Sequence, residues 1–300
     1  MMNQQQSENT PLYIGMPMWS HNGWVDQVYS GVSKPAERLA RYAQVFNSVE
    51  GNTTFYAIPN SKTVLNWCSA VPDHFRFTFK LPKSITHQAQ LRHCQAQTRA
   101  FFQVMSPLID RTSLWVIQLS KKFGPSSFSA LETFIEQFPP IEHIGLEVRH
   151  PEFFAKGDAE KRLNAFLIER GINRVMMDSR PVFSAPAVSD AVIDAHQKKP
   201  KLPVHAIATA TQPMIRFIGH PDLRDNDEFF KPWIGKICQW LQEGRQPHLF
   251  IHTPDNQHAP LLAQRLYAQV NLHWQSISGQ LLWPFNLPDL SNDHQLGLSF

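Results

Sequence analysis

Along the whole chain, short runs of mainly apolar residues alternate with longer segments in which apolar positions recur at helical spacing. The runs at 12–18, 46–51, 75–81, 114–119, 144–148, 174–178, 214–218 and 249–252 have the length and composition of strands. Between them, Val64, Trp67, Cys68 and Val71 follow the i, i+3, i+4, i+7 pattern of a helix with one buried face. So do Ile234, Ile237, Cys238 and Leu241, and then Ala263, Leu266, Tyr267 and Val270. Leu39, Tyr42, Ala43 and Phe46 mark an earlier helix, and Leu163, Phe166 and Leu167 a central one.

Strict alternation of strand and helix implies parallel strands joined by right-handed crossovers. Eight such units close naturally into a barrel. The competing open sheet usually carries a glycine-rich phosphate loop after its first strand, and here Met16-Pro17-Met18-Trp19-Ser20 follows instead. The pattern therefore predicts a polar tail over 1–11, a single (β/α)₈ barrel over 12–270, and a C-terminal extension over 271–300. Trp274, Leu281, Leu282, Trp283 and Phe285 would pack that extension on the outer shell. Residues 181–213 hold five prolines and a weak helical pattern at Val188, Ala191, Val192 and Ala195. This excursion either covers the barrel mouth or runs as a surface loop.

Alternate residues of a strand face the same way. Taken at that period, Glu50 is in phase with Asn52, Lys80 with Thr78, Gln118 with Ser120, and Glu147 with Arg149. Asp178, Arg216 and His252 add polar positions near the ends of three further strands. Parallel strands covered on both faces should read as apolar. Unpartnered buried charges cost several kcal/mol each, so these side chains must pair, meet water at the mouth or hold a ligand. Barrel enzymes place their sites at that carboxyl end. The bland reading is that pairs such as Glu147–Arg149 or Lys80–Asp178 are structural ion pairs.

Composition narrows the function classes. Of 300 residues 42% are apolar and 18% charged, which excludes a disordered chain. The net charge of +3 is spread along the sequence without the basic stripe of a nucleic-acid binder. Lys198, Lys199 and Lys201 form one short cluster, read as a solvated loop. Cys68, Cys94 and Cys238 stand too far apart for a disulfide framework or a zinc knuckle. No segment has the apolar length of a signal sequence or a membrane span, and the expected location is the cytoplasm. Oligomeric state is left open.

The ordered motifs YIGMPMW at 13–19, SVEGNTTFYAIP at 48–59, FRFTFKLPKSITH at 75–87, LEVRH at 146–150, VMMDSRP at 175–181, IRFIGH at 215–220 and FIHTPDN at 250–256 resemble the YecE-like family, domain of unknown function 72. The resemblance covers about 12–270. It implies a (β/α)₈ barrel and, as the family's name states, no particular activity, so no catalytic residue is carried over.

Three readings of the side chains stay open. The first is a metal-free enzyme for a small anionic metabolite. In it Arg149 and Arg216 anchor a phosphate or carboxylate, and Glu50 and Glu147 act as general base and acid. Lys80, between Phe79 and Leu81, serves as an ion-pair partner, a base or a Schiff-base amine; Asn52, Gln118 and Asn256 contribute polar contacts, and no cofactor is implied. The second is a divalent-metal hydrolase or isomerase using Glu50, Glu147, Asp178 and His252. The cations Lys80, Arg149 and Arg216 count against it by repulsion, as does the absence of HxH or HExxH spacing. The third is a non-enzymatic binding protein in which Trp19, Trp24, Phe55 and Tyr56 stack on a sugar or base, their bland reading being rim packing. Phosphate binding at Gly219 and at a helix beginning near Asn256 is a weak further possibility. His87, His150 and His220 read as structural histidines.

Overall fold

The computed structural model describes residues 12–29, 34–280 and 282. Eight parallel strands form one sheet in the order β1-β8-β7-β6-β5-β4-β3-β2. They are β1 Tyr13–Gly15, β2 Ser48–Gly51, β3 Arg76–Lys80, β4 Thr112–Gln118, β5 Ile144–Glu147, β6 Asn173–Asp178, β7 Met214–Ile218 and β8 His248–His252. All eight fall within or beside the predicted runs, and the fold is the expected α/β barrel. Helices such as Arg38–Val45, Ser61–Ala70, Gln95–Met105, Phe128–Glu136, Asp158–Glu169 and Asp227–Gln242 wrap it. The last helix, Ala259–Ser278, continues past residue 270 and buries Trp274. The 1–11 tail, Leu281, Trp283 and Phe285 lie outside the described residues; Leu282 is buried, its N–H donating to Asn271 Oδ1 at 2.8 Å.

The seam between β1 and β2 closes through few backbone bonds, and side chains supply the rest. Glu50 N–H donates to the Met16 carbonyl at 2.9 Å. The buried Tyr42 hydroxyl accepts from Met16 N–H at 2.8 Å and donates to the Ser48 carbonyl at 2.9 Å. Gly15 makes this approach possible, because a Cβ there would stand 2.0 Å from the Ser48 oxygen.

Strand register separates two cores. Leu114, Val116, Val175, Met214 and Phe250 pack together inside the barrel. Their partners across the ladder, including Thr78 opposite Leu114 and Glu50 opposite Thr78, share that inward phase. Phe77, Phe79 and Trp115 take the opposite phase and stack in the outer core. Arg174 also points outward. Its Nη1 lies 3.0 Å from Glu160 Oε1, and Glu160 in turn binds His205 of the chain returning to β7.

The 181–213 excursion covers the mouth. Val182 and Ala195, from helices Arg180–Ser184 and Asp190–Lys198, pack on Ile218 at the inward end of β7. Farther along, Pro200 and Leu202 line a cavity of about 10 Å³ together with Glu147, Val148, Phe154, Val175 and Met177. That is room for roughly one water.

Candidate functional site

Inward-facing ends of β2, β3, β5, β7 and β8 bring five of the predicted side chains into one buried network. Lys80 Nζ lies 3.0 Å from Glu50 Oε1. Arg216 bridges both carboxylates, with Nε 2.9 Å from Glu50 Oε1 and Nη1 3.0 Å from Glu147 Oε2. His252 Nε2 lies 3.2 Å from Glu50 Oε2. Arg149 reaches back from beyond β5 and places Nη2 2.7 Å and Nε 2.8 Å from Glu147 Oε1. The predicted pair Glu147–Arg149 forms; Lys80 pairs with Glu50, not with Asp178.

The electrostatics follow from burial opposed by close charge. For Glu50, burial acts to raise the pKa, but Arg216 and Lys80 hold it well below the carboxylate range. Glu147 is similarly brought down to about 2 by Arg149, Arg216 and Lys80 against burial. Both are therefore carboxylates at neutral pH. They can accept a proton but cannot supply one, so the general-acid role expected of Glu147 does not fit its surroundings. Burial lowers His252 to about 3, leaving a neutral imidazole. Since its neighbour Glu50 can only accept, Nε2 carries the hydrogen and Nδ1 keeps its lone pair. Burial, then the Arg216 charge, lowers the Lys80 pKa.

Two groups that local patterning did not single out feel the charge of this network. His87 sits on a π-helical turn, Ser84–Gln88, after β3. Burial and then Arg149 lower its pKa, with Glu147 and Lys80 also in range. Lys199, expected in a solvated loop, is half-buried within the excursion. Burial, Arg216 and Lys80 bring its pKa to about 7. His87 could have been flagged by its place in the loop after a barrel strand, where site residues collect. For Lys199 no local signal exists.

The remaining expectations divide. Gln118 is buried in register beside Glu147. Asn52 is engaged by backbone, donating to the Pro17 carbonyl at 2.9 Å. Asn256 adopts positive φ, 61°, its backbone carbonyl accepts from Trp24 Nε1 at 2.8 Å, and its side-chain Oδ1 is buried with no hydrogen-bond partner among the described residues. Asp178 is a correction. It faces the outer layer, where Trp233 Nε1 donates to Oδ2 at 2.8 Å and Arg180 Nε to Oδ1 at 2.9 Å. The four side chains of the metal reading consequently do not converge. Among the described residues, no group of three or more His, Cys, Asp or Glu is placed to hold a metal ion.

Two of the four aromatic positions are corrected, because Trp19 packs edge-on against Trp67 and Phe77 in the outer core and Trp24 is fully buried. Phe55 packs edge-on against Tyr56 and His87, and Tyr56 stands 80% exposed. Gly219 is no phosphate nest, because its N–H donates to the His252 carbonyl at 2.8 Å and a Cβ there would lie 2.4 Å from Leu262 Cδ2. The helix after β8 starts at Ala259. His150 and His220 keep their structural reading, each accepting a backbone N–H two residues on.

The family model for "Protein of unknown function DUF72" matches residues 13–284. UPF0759 protein YecE of Escherichia coli K12 is 48% identical over 256 residues, which is 85% of this chain and 91% of the relative. A DUF72 family protein of known structure from Thermotoga maritima is similar at TM-score 0.65 and 22% identity, over 90% of this chain and 100% of that one. Another, from Enterococcus faecalis, gives TM-score 0.63 and 19% identity over 92% and 98%. At such identities the two structures bear on the fold alone. Among the described residues no helix is long and apolar enough to cross a membrane.

Proposed function

This chain belongs to the DUF72, or YecE-like, family, and on that premise we propose that the barrel mouth is the active site of a cytoplasmic enzyme. It works without a metal on a small metabolite that carries a phosphate or carboxylate. One observation carries the reading: the charge in the network does not balance. Lys80, Arg149 and Arg216 bring three positive charges against two negative ones on Glu50 and Glu147, a surplus of one. Protonated Lys199 makes it two. An anion placed there relieves repulsion that water reaches poorly.

Arg149 is the natural anchor. Its side chain is 22% exposed, the least enclosed of the three, and its Nη1 is uncommitted among the described residues. A guanidinium so placed can fork onto a carboxylate or phosphate. Proton transfer then falls to the groups whose proton is labile near neutrality. Of the groups described, that is the Lys199 amine, while the two carboxylates and the neutral His252 accept hydrogen bonds from the guest and stay unprotonated near neutrality. A cavity of about 10 Å³ holds no metabolite, so admission requires the 199–202 segment to swing aside and close again over the guest.

A thermal-shift screen against phosphorylated and carboxylated metabolites tests the proposal, with Arg149→Ala beside the wild type. At least one anion should raise the melting temperature, and Arg149→Ala should fold but lose that response. A flat screen, or an equal response in the variant, overturns the reading. Stoichiometric zinc, manganese or iron in the purified protein would overturn its metal-free part.

A further inference from the structure

We infer that the small cavity at the mouth seats a hydrocarbon group of the guest, so that the metabolite admitted there is a short aliphatic chain with its carboxylate or phosphate at one end. This rests on the anion-binding reading above and narrows the substrate class for it. The cavity has room for about one water, roughly the bulk of a methyl group, and Glu147 supplies the one polar side chain among the described residues that line it. The walls are hydrocarbon. Val175 and Met177 come from β6, Phe154 joins them from the turn after β5, and Pro200 and Leu202 form the roof. Val175 leans so closely over β5 that a Cβ on Gly145 would stand 3.2 Å from its Cγ2, which closes the barrel beneath the cavity.

Those surroundings decide the occupant. A buried water needs about two to four polar partners. Glu147 already receives Arg149 Nη2 at 2.7 Å and Nε at 2.8 Å on Oε1, and Arg216 Nη1 at 3.0 Å on Oε2. A water there meets one largely engaged carboxylate and otherwise hydrocarbon. A methyl or methylene group needs no such partners, and it restores the contacts that a void forfeits. Charge fixes the rest of the guest. Glu147 is both the polar corner of the cavity and the carboxylate that holds Arg149 and Arg216, while Met177 stands opposite Arg216 in the ladder. An anionic head on the open side of Arg149 therefore has the apolar pocket within reach of a few carbon atoms.

The roof can lift without disturbing the barrel. Pro200 and Pro203 have no N–H. Over 200–204 the one hydrogen bond among the described residues runs from Ser179 Oγ to the Pro200 carbonyl, at 2.7 Å. Both flanks are anchored: His196 Nε2 lies 2.7 Å from the Val182 carbonyl, and His205 Nδ1 lies 2.5 Å from Glu160 Oε1. Opening this short span admits the guest, and closing it brings Leu202 down on the aliphatic end. Leu202 is thus the residue that sets chain length.

Melting curves of the full chain, titrated at constant ionic strength with formate, acetate, propionate, butyrate, hexanoate and neutral 1-butanol, test this. Inorganic phosphate and propyl phosphate make the same comparison for the other head group. Affinity should rise from formate by about fourfold per methylene buried, peak at propionate or butyrate, and fall at hexanoate. Leu202 is half-buried, so Leu202→Ala should fold. It should bind formate as the wild type does and prefer hexanoate, because the lost side chain leaves space for a longer chain. Equal affinity from formate to hexanoate and for both phosphates, or an optimum that Leu202→Ala does not move, overturns the inference; where formate or phosphate still stabilises the protein, the anion site stands. Butanol acting as strongly as butyrate, with no effect of formate or phosphate, overturns the inference and the anion reading together.

Discussion

Replacing Glu147 with glutamine measures how strongly the network depends on one buried charge. Glu147 is 2% exposed and receives Arg149 on one oxygen and Arg216 on the other. Its pKa is about 2, against 4.5 for the free carboxyl. At about 1.4 kcal/mol per factor of ten in acidity, that gap corresponds to about 3 kcal/mol of stability at pH 7. The folded value lies below the unfolded one, so the stabilisation is complete above about pH 4.5 and disappears as pH falls toward 2. At pH 3.5 roughly 2 kcal/mol should remain by the same linkage. Glutamine keeps the shape and one acceptor oxygen while removing the charge. Arg216 retains Glu50 and Arg149 can turn to solvent, so the variant should fold. Urea unfolding of both proteins at pH 7 and pH 3.5 should give differences of about 3 and about 2 kcal/mol. A difference below about 1 kcal/mol at pH 7, or one that grows on acidification, would refute the reasoning.

Asp178→Asn should weaken the fold by about 1.5–3 kcal/mol, through its charged hydrogen bonds to Trp233 and Arg180. The anion response in a thermal-shift assay should stay intact, because Asp178 faces the outer layer; loss of that response would return Asp178 to the mouth. Gly219→Ala forces a methyl against Leu262 and the Asn226 amide oxygen, and should cost about 1–3 kcal/mol by denaturant unfolding. An unchanged unfolding midpoint would show that the Leu262 contact gives way freely.

Much of the mouth was legible because a parallel barrel strand should be apolar on both faces. Any charge on it is conspicuous, and the two-residue period then assigns Glu50, Lys80, Glu147 and Arg216 to one side. The method failed on β6, Asn173–Asp178, for a physical reason. Arg174, Met176 and Asp178 share one phase and Asn173, Val175 and Met177 the other, so each face mixes polar with apolar residues. Only the ladder, which sets Met177 opposite Arg216 and Asp178 opposite Phe217, shows that the charged pair looks outward to the helices. Trp19 erred likewise: a tryptophan after a strand can cap the mouth or fold back over the shell, and its neighbours Trp67 and Phe77 come from distant sequence.

By itself the sequence determined the eight-strand alternation, the barrel it closes into, and the end at which its charges gather, since each depends on periodicities two to four residues long. Tertiary structure alone decided which carboxylate meets which cation, that the proline-rich excursion lies over the mouth, and that Lys199 within it is half-buried. Those outcomes depend on register between strands far apart in the chain and on the path of a segment with no repeating pattern. Both are settled by packing across the molecule, which no local pattern encodes.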